Sequence, residues 1–174
     1  MKKSDSELLE QLKFLYESLD QEMQEKFQRH VSIGDLVLDR WERARRYGFG
    51  EGTSCYDNVL VLGEVKVGKN CWIGPGVILD GSGGLEIGDN CSISAGVHIY
   101  THDSVKWANS MGEMPYDRES VKIGSGVYLG PQSIICKGIS IANKAVVGAL
   151  SLVREDVQEG QRVGGVPAKV LNLP

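Results

Sequence analysis

The chain has 174 residues, 41% hydrophobic and 24% charged, with a net charge of −4: one domain, or one domain with an appendage, of ordinary globular composition. Without a basic excess nucleic acid is not an expected partner; no apolar run reaches the length of a membrane span, and MKKSDSELLE lacks the apolar stretch of a signal peptide, so a cytoplasmic setting is expected. The 22 glycines against five prolines, with no biased tract, point to many tight turns rather than to disorder.

The first element is helical. Ser4 and Glu7 have capping-box spacing, and Leu8, Leu12, Leu15, Leu19, Met23 and Phe27 recur at helical intervals. A helix of about twenty residues is expected to pack its apolar face on the rest of the fold or on a neighbouring subunit. His30 follows at its C-terminal end, where a cation suits the helix dipole. A second helical stretch, DLVLDRWERARRYG, carries Arg40, Arg43, Arg45 and Arg46. These read as a solvated face paired with Asp39 and Glu42, or as a contact for an anionic substrate or lipid surface.

From there on the chain is a repeat. Aliphatic residues fall every six positions at Val61, Val67, Ile73 and Leu79, then after a two-residue slip at Ile87, Ile93 and Ile99. After a break the series returns at Ile123, Leu129, Ile135, Ile141, Val147 and Val153. Glycine often follows, as at Gly68, Gly74, Gly88, Gly124, Gly130 and Gly148, and a modest residue stands four places on, as at Val65, Cys71, Val77, Cys91, Val97, Val127, Ser133, Ala145 and Ser151. A period of six is neither helical nor simply alternating; it suits short strands joined by tight turns and stacked into a solenoid around an aliphatic column. Cys71 and Cys91 lie one coil apart and are expected to stack as buried fillers. With Cys55 and Cys136 they form no CxxC pair, which argues against zinc and dithiol chemistry.

The aliphatic–Gly–x–x–small–x motif resembles the hexapeptide-repeat acyltransferase family. The resemblance implies a mainly β fold: a left-handed parallel β-helix over residues 58–172, three hexads per coil, preceded by an N-terminal helical segment and linker over 1–57. That hand is an exception to the usual crossover rule.

The break runs through GVHIYTHDSVKWANSMGEMPYDRESVKIG and begins beside His102. A long loop inside a compact domain is usually functional, and this one, residues 103–121, carries Trp107, Met111, Met114, Pro115 and Tyr116, an apolar set that should fold over a groove or a neighbouring subunit. In the galactoside and maltose O-acetyltransferase branch the catalytic His precedes the Met of a Gly-Glu-Met triplet by twelve residues, as His102 precedes Gly112-Glu113-Met114 here. The resemblance therefore implies His102 as general base, Glu113 as a second catalytic group that orients the ring or binds the acceptor, and Met114 and Trp107 against the sugar. Imidazole as a class titrates near neutrality and suits the two proton transfers. His98, at the last hexad position before Ile99, is the competing histidine; Asp103 is expected to tune the imidazole or to open the loop turn. Asp80, in the slip one coil earlier, is expected either to hold sugar hydroxyls or to start a glycine-rich turn.

The C-terminal GGVPAKVLNLP is similar to the segment that closes many family members. It implies acetyl-CoA as donor, with Pro167, Ala168 and Lys169 at its groove, Tyr128 beside it, and Gly130, Gly148 and Ala149 at small groove positions. Relatives carry Lys where this chain has Glu155, so Arg154 is expected to supply the phosphate contact. The resemblance further implies a homotrimer with sites between subunits, and acetyl transfer to a sugar hydroxyl in surface-polysaccharide (O-antigen or capsule) synthesis. An N-acetyltransferase acting on a nucleotide-linked amino sugar and a non-catalytic repeat scaffold are the alternatives. A zinc anhydrase on this fold needs three histidines, and only His98 and His102 lie in the repeat, so no metal is expected. No cysteine has a visible histidine partner for nucleophilic chemistry.

Overall fold

The structure, a computed structural model, describes residues 3–171; the expected end of the solenoid at 172 lies outside them. The chain divides into two compact units, Met1–Arg40 and Trp41–Pro174, so the sequence boundary at 57/58 falls inside the second. The reason is local to that second unit: Arg43 is buried and its guanidinium donates to the Cys55 carbonyl (3.0 Å), while Ala44 and Phe49 join the core.

The first unit holds helix α1 (Lys3–Phe27) and helix α2 (Ile33–Val37). α1 is longer than its apolar spacing implied, and Ser4 lies within it rather than before it. Leu19 and Met23 are half-buried, whereas Leu8, Leu12, Leu15 and Phe27 are exposed. His30 lies beyond the helix end and pairs with Asp20 (2.8 Å). Helix α3 (Arg40–Arg46) makes the second helical stretch two elements rather than one. In it Arg46 pairs with Glu42 at 2.7 Å. With Arg43 buried, the arginine cluster is partly committed to structure. Among the described residues no helix is long and apolar enough to cross a membrane.

The second unit is a parallel β-solenoid with three faces. On the first, Ser54–Cys55, Trp72–Ile73, Ser92–Ile93, Tyr128–Leu129, Val146–Val147 and Arg162–Gly164 stack in register. The strands Leu60–Val67 and Ile78–Ile87 run from the second face into the third. On the second face they are continued by His98–Ile99, Ile134–Ile135 and Leu152–Val153. On the third they are continued by Val121–Ile123 and Ser140–Ile141. Lys169–Val170 folds back antiparallel on Arg162–Gly164 at the end.

This architecture follows from the period. Parallel neighbours sit about 4.8 Å apart, so each residue stacks on its counterpart one coil away. A column stays dry only if that counterpart is also apolar. Every member of the aliphatic series is buried except Val61, which is half-buried on the first coil. Cys71 and Cys91 are buried and stacked, with the Cys91 N–H 3.4 Å from the Cys71 sulfur.

Both interruptions of the period fall at one place. Leu79 lies beside Ile99, and Ile87 beside Ile123. The two-residue slip after Leu79 and the break after Ile99 therefore occupy the same corner, the turn from the second to the third face, one coil apart. In the two following coils that corner holds Cys136, Lys137 and Gly138, then Arg154, Glu155 and Asp156.

Candidate active site

The extra residues of the slip let the backbone after Leu79 bulge while Asp80 turns inward. Asp80 is 0% exposed. A buried carboxylate needs donors on both oxygens, and it has them. The Ser82 N–H and hydroxyl donate to Oδ1 (3.0 and 2.5 Å), and the Thr101 N–H donates to Oδ2 (2.8 Å). The His102 ring completes the set, its Nδ1 lying 2.6 Å from Oδ2. Burial opposes ionisation of Asp80. The Ser82 hydroxyl, the Thr101 and Ser82 amides and the His102 ring outweigh it and hold the carboxyl at about 2. An ionised carboxylate only accepts hydrogen bonds, so Nδ1 carries a proton toward Asp80 and Nε2 turns outward.

Asp80 is therefore not placed to hold sugar hydroxyls. All its accepting directions are taken from within the chain, although it does open the glycine-rich turn through Ser82. The pairing could have been found from the sequence: if Leu79 and Ile99 stack, the residues just after them share a corner.

The loop over 103–121 is not irregular. It leaves and rejoins the solenoid as an antiparallel pair, His102–Asp103 with Asp117–Arg118, in which His102 faces Arg118. Helix α4 (Val105–Asn109) follows, its turn opened by Asp103, whose Oδ1 accepts from the Val105 N–H (3.0 Å). Asp103 thus opens the turn and makes no hydrogen bond to the imidazole. The apolar loop residues form a short stack. The Trp107 and Tyr116 rings meet edge-on at 5.7 Å, Tyr116 lies 6.1 Å from the His102 ring, and Arg118 stands over Tyr116 at 5.8 Å. Met114 and Trp107 remain exposed, and so does Met111 at 92%. Glu113 is exposed on the same loop and makes no hydrogen bond to His102, so within one chain it is not a partner of that ring.

His102 opens onto a cleft of about 380 Å³ lined by Tyr100, Asp103, Glu119, Cys136, Lys137 and Arg154. Tyr100, Cys136 and Arg154 follow Ile99, Ile135 and Val153, which stack in register, so they form a column on successive coils. Sequence reasoning missed Tyr100, Cys136 and Lys137 here, because nothing in a hexad marks a corner residue. His98 lies on the second face between Ile78 and Ile134, with the Tyr100 hydroxyl 3.3 Å from its Nδ1.

The expected donor-site residues separate into two groups. Tyr128, Gly130, Gly148 and Ala149 lie on the first face and the corner after it. Tyr128 and Ala149 are exposed, but Gly130 is buried. A Cβ on Gly130 would stand 2.5 Å from the Ala149 nitrogen and 2.7 Å from the Gly148 carbonyl carbon. Its glycine is explained by that close approach of two coils, not by a ligand.

The second group is at the C-terminal end of the solenoid. Arg154, Ala168 and Lys169 line a smaller cleft of about 220 Å³, and Lys169 lies 3.5 Å from Glu155. Glu155 is thus the partner of Lys169. Pro167 is exposed beside it, and the Ala168 N–H donates to the Leu152 carbonyl (2.8 Å). Arg154 borders both clefts. Among the described residues no group of three or more His, Cys, Asp or Glu side chains is arranged to hold a metal ion.

Comparison with known proteins agrees with the solenoid fold. The hexapeptide repeat of succinyl-transferase matches residues 64–101 and 120–149, leaving out the loop. WbbJ of Escherichia coli (strain K12), named for lipopolysaccharide biosynthesis O-acetyl transfer, is 29% identical over 140 residues, covering 63% of this chain and 71% of its own. Galactoside O-acetyltransferase of the same organism is 25% identical over 113 residues, covering 62% of this chain; the chain spans only 53% of that relative. Among solved structures, a mutant of AntD, an N-acyltransferase from Bacillus cereus in complex with dTDP and coenzyme A, superposes with a TM-score of 0.65 at 25% identity, covering 71% of each chain.

Proposed function

Since the chain belongs to the hexapeptide-repeat acyltransferase family, we propose that it transfers an acetyl group from acetyl-CoA to a hydroxyl of a sugar. The observation that carries this reading is the Asp80–His102 pair at the mouth of the cleft. Asp80 fixes the ring and its tautomer. Nε2 takes the proton from the acceptor hydroxyl as that oxygen attacks the thioester carbonyl, and the buried carboxylate stabilises the imidazolium that forms. Collapse of the tetrahedral intermediate expels the CoA thiolate, which recovers the proton from Nε2. Trp107, Met114 and Tyr116 form the apolar lid that limits water, the competing nucleophile.

Assembly of the donor site supports a homotrimer. Tyr128, Gly130, Gly148 and Ala149 line neither of the two clefts that Arg154 borders, so a donor touching both groups would use a second copy. The second face offers a surface for that contact: Leu60, Ile78, His98, Ile134 and Leu152 stack outward in register, with Leu60 and Ile134 exposed. The third face presents Lys66, Glu86, Lys122 and Ser140 instead, a ladder suited to water. CoA would then lie between subunits, with Glu113 supplied across the interface.

A role in surface-polysaccharide synthesis draws its support from the likeness to WbbJ. The likeness to AntD favours a second reading, acylation of an amine on a nucleotide-linked sugar. The same base serves both, because either nucleophile gives up a proton. The test is acetyl-CoA binding by calorimetry, then CoA release with free sugars, lipid-linked sugars and nucleotide-linked amino sugars. Release with a hydroxyl acceptor alone supports the first reading and release with an amino sugar alone the second. If the protein binds no acetyl-CoA, both readings fall and the scaffold alternative moves to the front.

A further inference from the structure

The neck of the loop concentrates negative charge in a place where it should not hold together. Asp103 and Asp117 stand directly opposite each other across the two-residue antiparallel pair, and Glu119 follows at once. Like charges facing each other across strands repel, and an isolated two-stranded pair has little stability of its own. Yet this pair carries His102, and the Glu119 N–H donates to the carbonyl of Thr101, the residue before it (2.9 Å). Whatever holds the neck also holds the base.

The cation that answers this charge comes from the next coil. Lys137, at the same corner and with its side chain 17% exposed, places Nζ 2.8 Å from Asp117, 2.9 Å from Glu119 and 3.3 Å from Asp103. Lys106 on α4 adds a second contact to Asp117 at 2.8 Å. Arg118, the other cation of the neck, stands over the Tyr116 ring instead. Lys137 alone reaches both strands of the neck among the ion pairs of the described residues.

We propose that Lys137 is a positioning residue for His102: by bridging Asp103, Asp117 and Glu119 with one ammonium it offsets their mutual repulsion and keeps the neck paired, and the paired neck keeps the imidazole on Asp80. The proposal rests on the acetyltransferase reading for its kinetic consequence and on geometry alone for its structural one. The two aspartates titrate accordingly. Asp117 is held at about 2 by Lys106 and Lys137, and Asp103 is lowered by the Val105 amide and then by Lys137. Lys137 is pushed up by Asp117 and Glu119.

The experiment compares Lys137→Met and Lys137→Arg with the wild type, and adds Lys137→Met combined with Asp103→Asn and Asp117→Asn. Two signals are read: steady-state kinetics, and the nuclear magnetic resonance of the His102 Nδ1 proton, which the short bond to Asp80 shields from exchange. In Lys137→Met that resonance is expected to vanish and kcat to fall roughly tenfold to a hundredfold, with the KM for acetyl-CoA changed by less than about twofold. Lys137→Arg and the charge-relieved triple variant are expected to recover both signals. A Lys137→Met protein that keeps the resonance overturns the proposal. So does one whose losses neither Arg nor charge relief restores, because that pattern belongs to a general packing defect. If the wild type turns over no acetyl-CoA, the functional reading fails while the resonance still decides the role of Lys137.

Discussion

Two stretches of the same solenoid obey opposite rules. From Ile123 to Val153 the chain keeps its six-residue step without interruption, and each of the six aliphatic residues is buried. From Leu79 to Ile123 the step fails twice, and each failure brings a charged or titratable side chain to the second corner: Asp80 at the first, His102 at the second. The regular stretch cannot vary, because each inward residue is the floor for the next. A corner can bulge outward without opening the core. Two bulges stacked on successive coils then face each other, and a buried carboxylate meets an imidazole. Regularity makes the scaffold, and two superposed departures from it make the site.

This contrast can be broken most sharply at its chemical end. His102→Ala is expected to lower kcat by about a thousandfold, within the range for loss of a general base, with little change in melting temperature; a drop below tenfold would pass the role to another group. The opposite pole is Ile135→Ala, from the fully buried column. It is expected to cost about 3 kcal/mol of stability, seen in thermal unfolding, while the fraction that stays folded keeps the wild-type kcat.

Asp80→Asn tests the link between the two bulges. The amide can donate to Nδ1 and so trap the proton on Nε2, the wrong tautomer. A loss on the order of a hundredfold in kcat is expected, the lower end of the range for general-base catalysis, with acetyl-CoA binding by calorimetry unchanged. Gly130→Ala asks whether this position serves the scaffold or the donor. Its new methyl meets backbone of the next coil, so destabilisation by about 2 kcal/mol is expected. Weaker CoA binding at full stability would return Gly130 to the donor site.

The smallest effect is on pH dependence. Asp80 and Asp117 have folded-state values near 2, below the ordinary carboxylate value of 3.8. A depressed value gives stability that is present above the ordinary value and is lost as pH falls through the folded one. Protection of the loop from proteolysis should therefore hold at pH 5 and decline only between about 4 and 2. Loss of protection already at pH 5 would count against the neck's ion pairs.

Much of this molecule was legible in its sequence because a hexad is a local rule. The aliphatic residue at each sixth place and the small residue four on require a solenoid, since stacking identical units is the one arrangement that buries that pattern. The break beside His102 marked the candidate base for the same reason, as a place where the local rule was abandoned. What the tertiary structure decided was the role of residues that carry no period. Asp80 was open to two readings until the donors around it were counted: Ser82 and Thr101 amides, the Ser82 hydroxyl and the His102 ring. Lys137 looked like any surface lysine until the next coil placed three carboxylates around it. Arg154 proved to border the cleft onto which His102 opens, and Lys169 to pair with Glu155. A charged group takes its role from the partners that surround it, and in a solenoid those partners come from the coils above and below, a whole turn away along the chain.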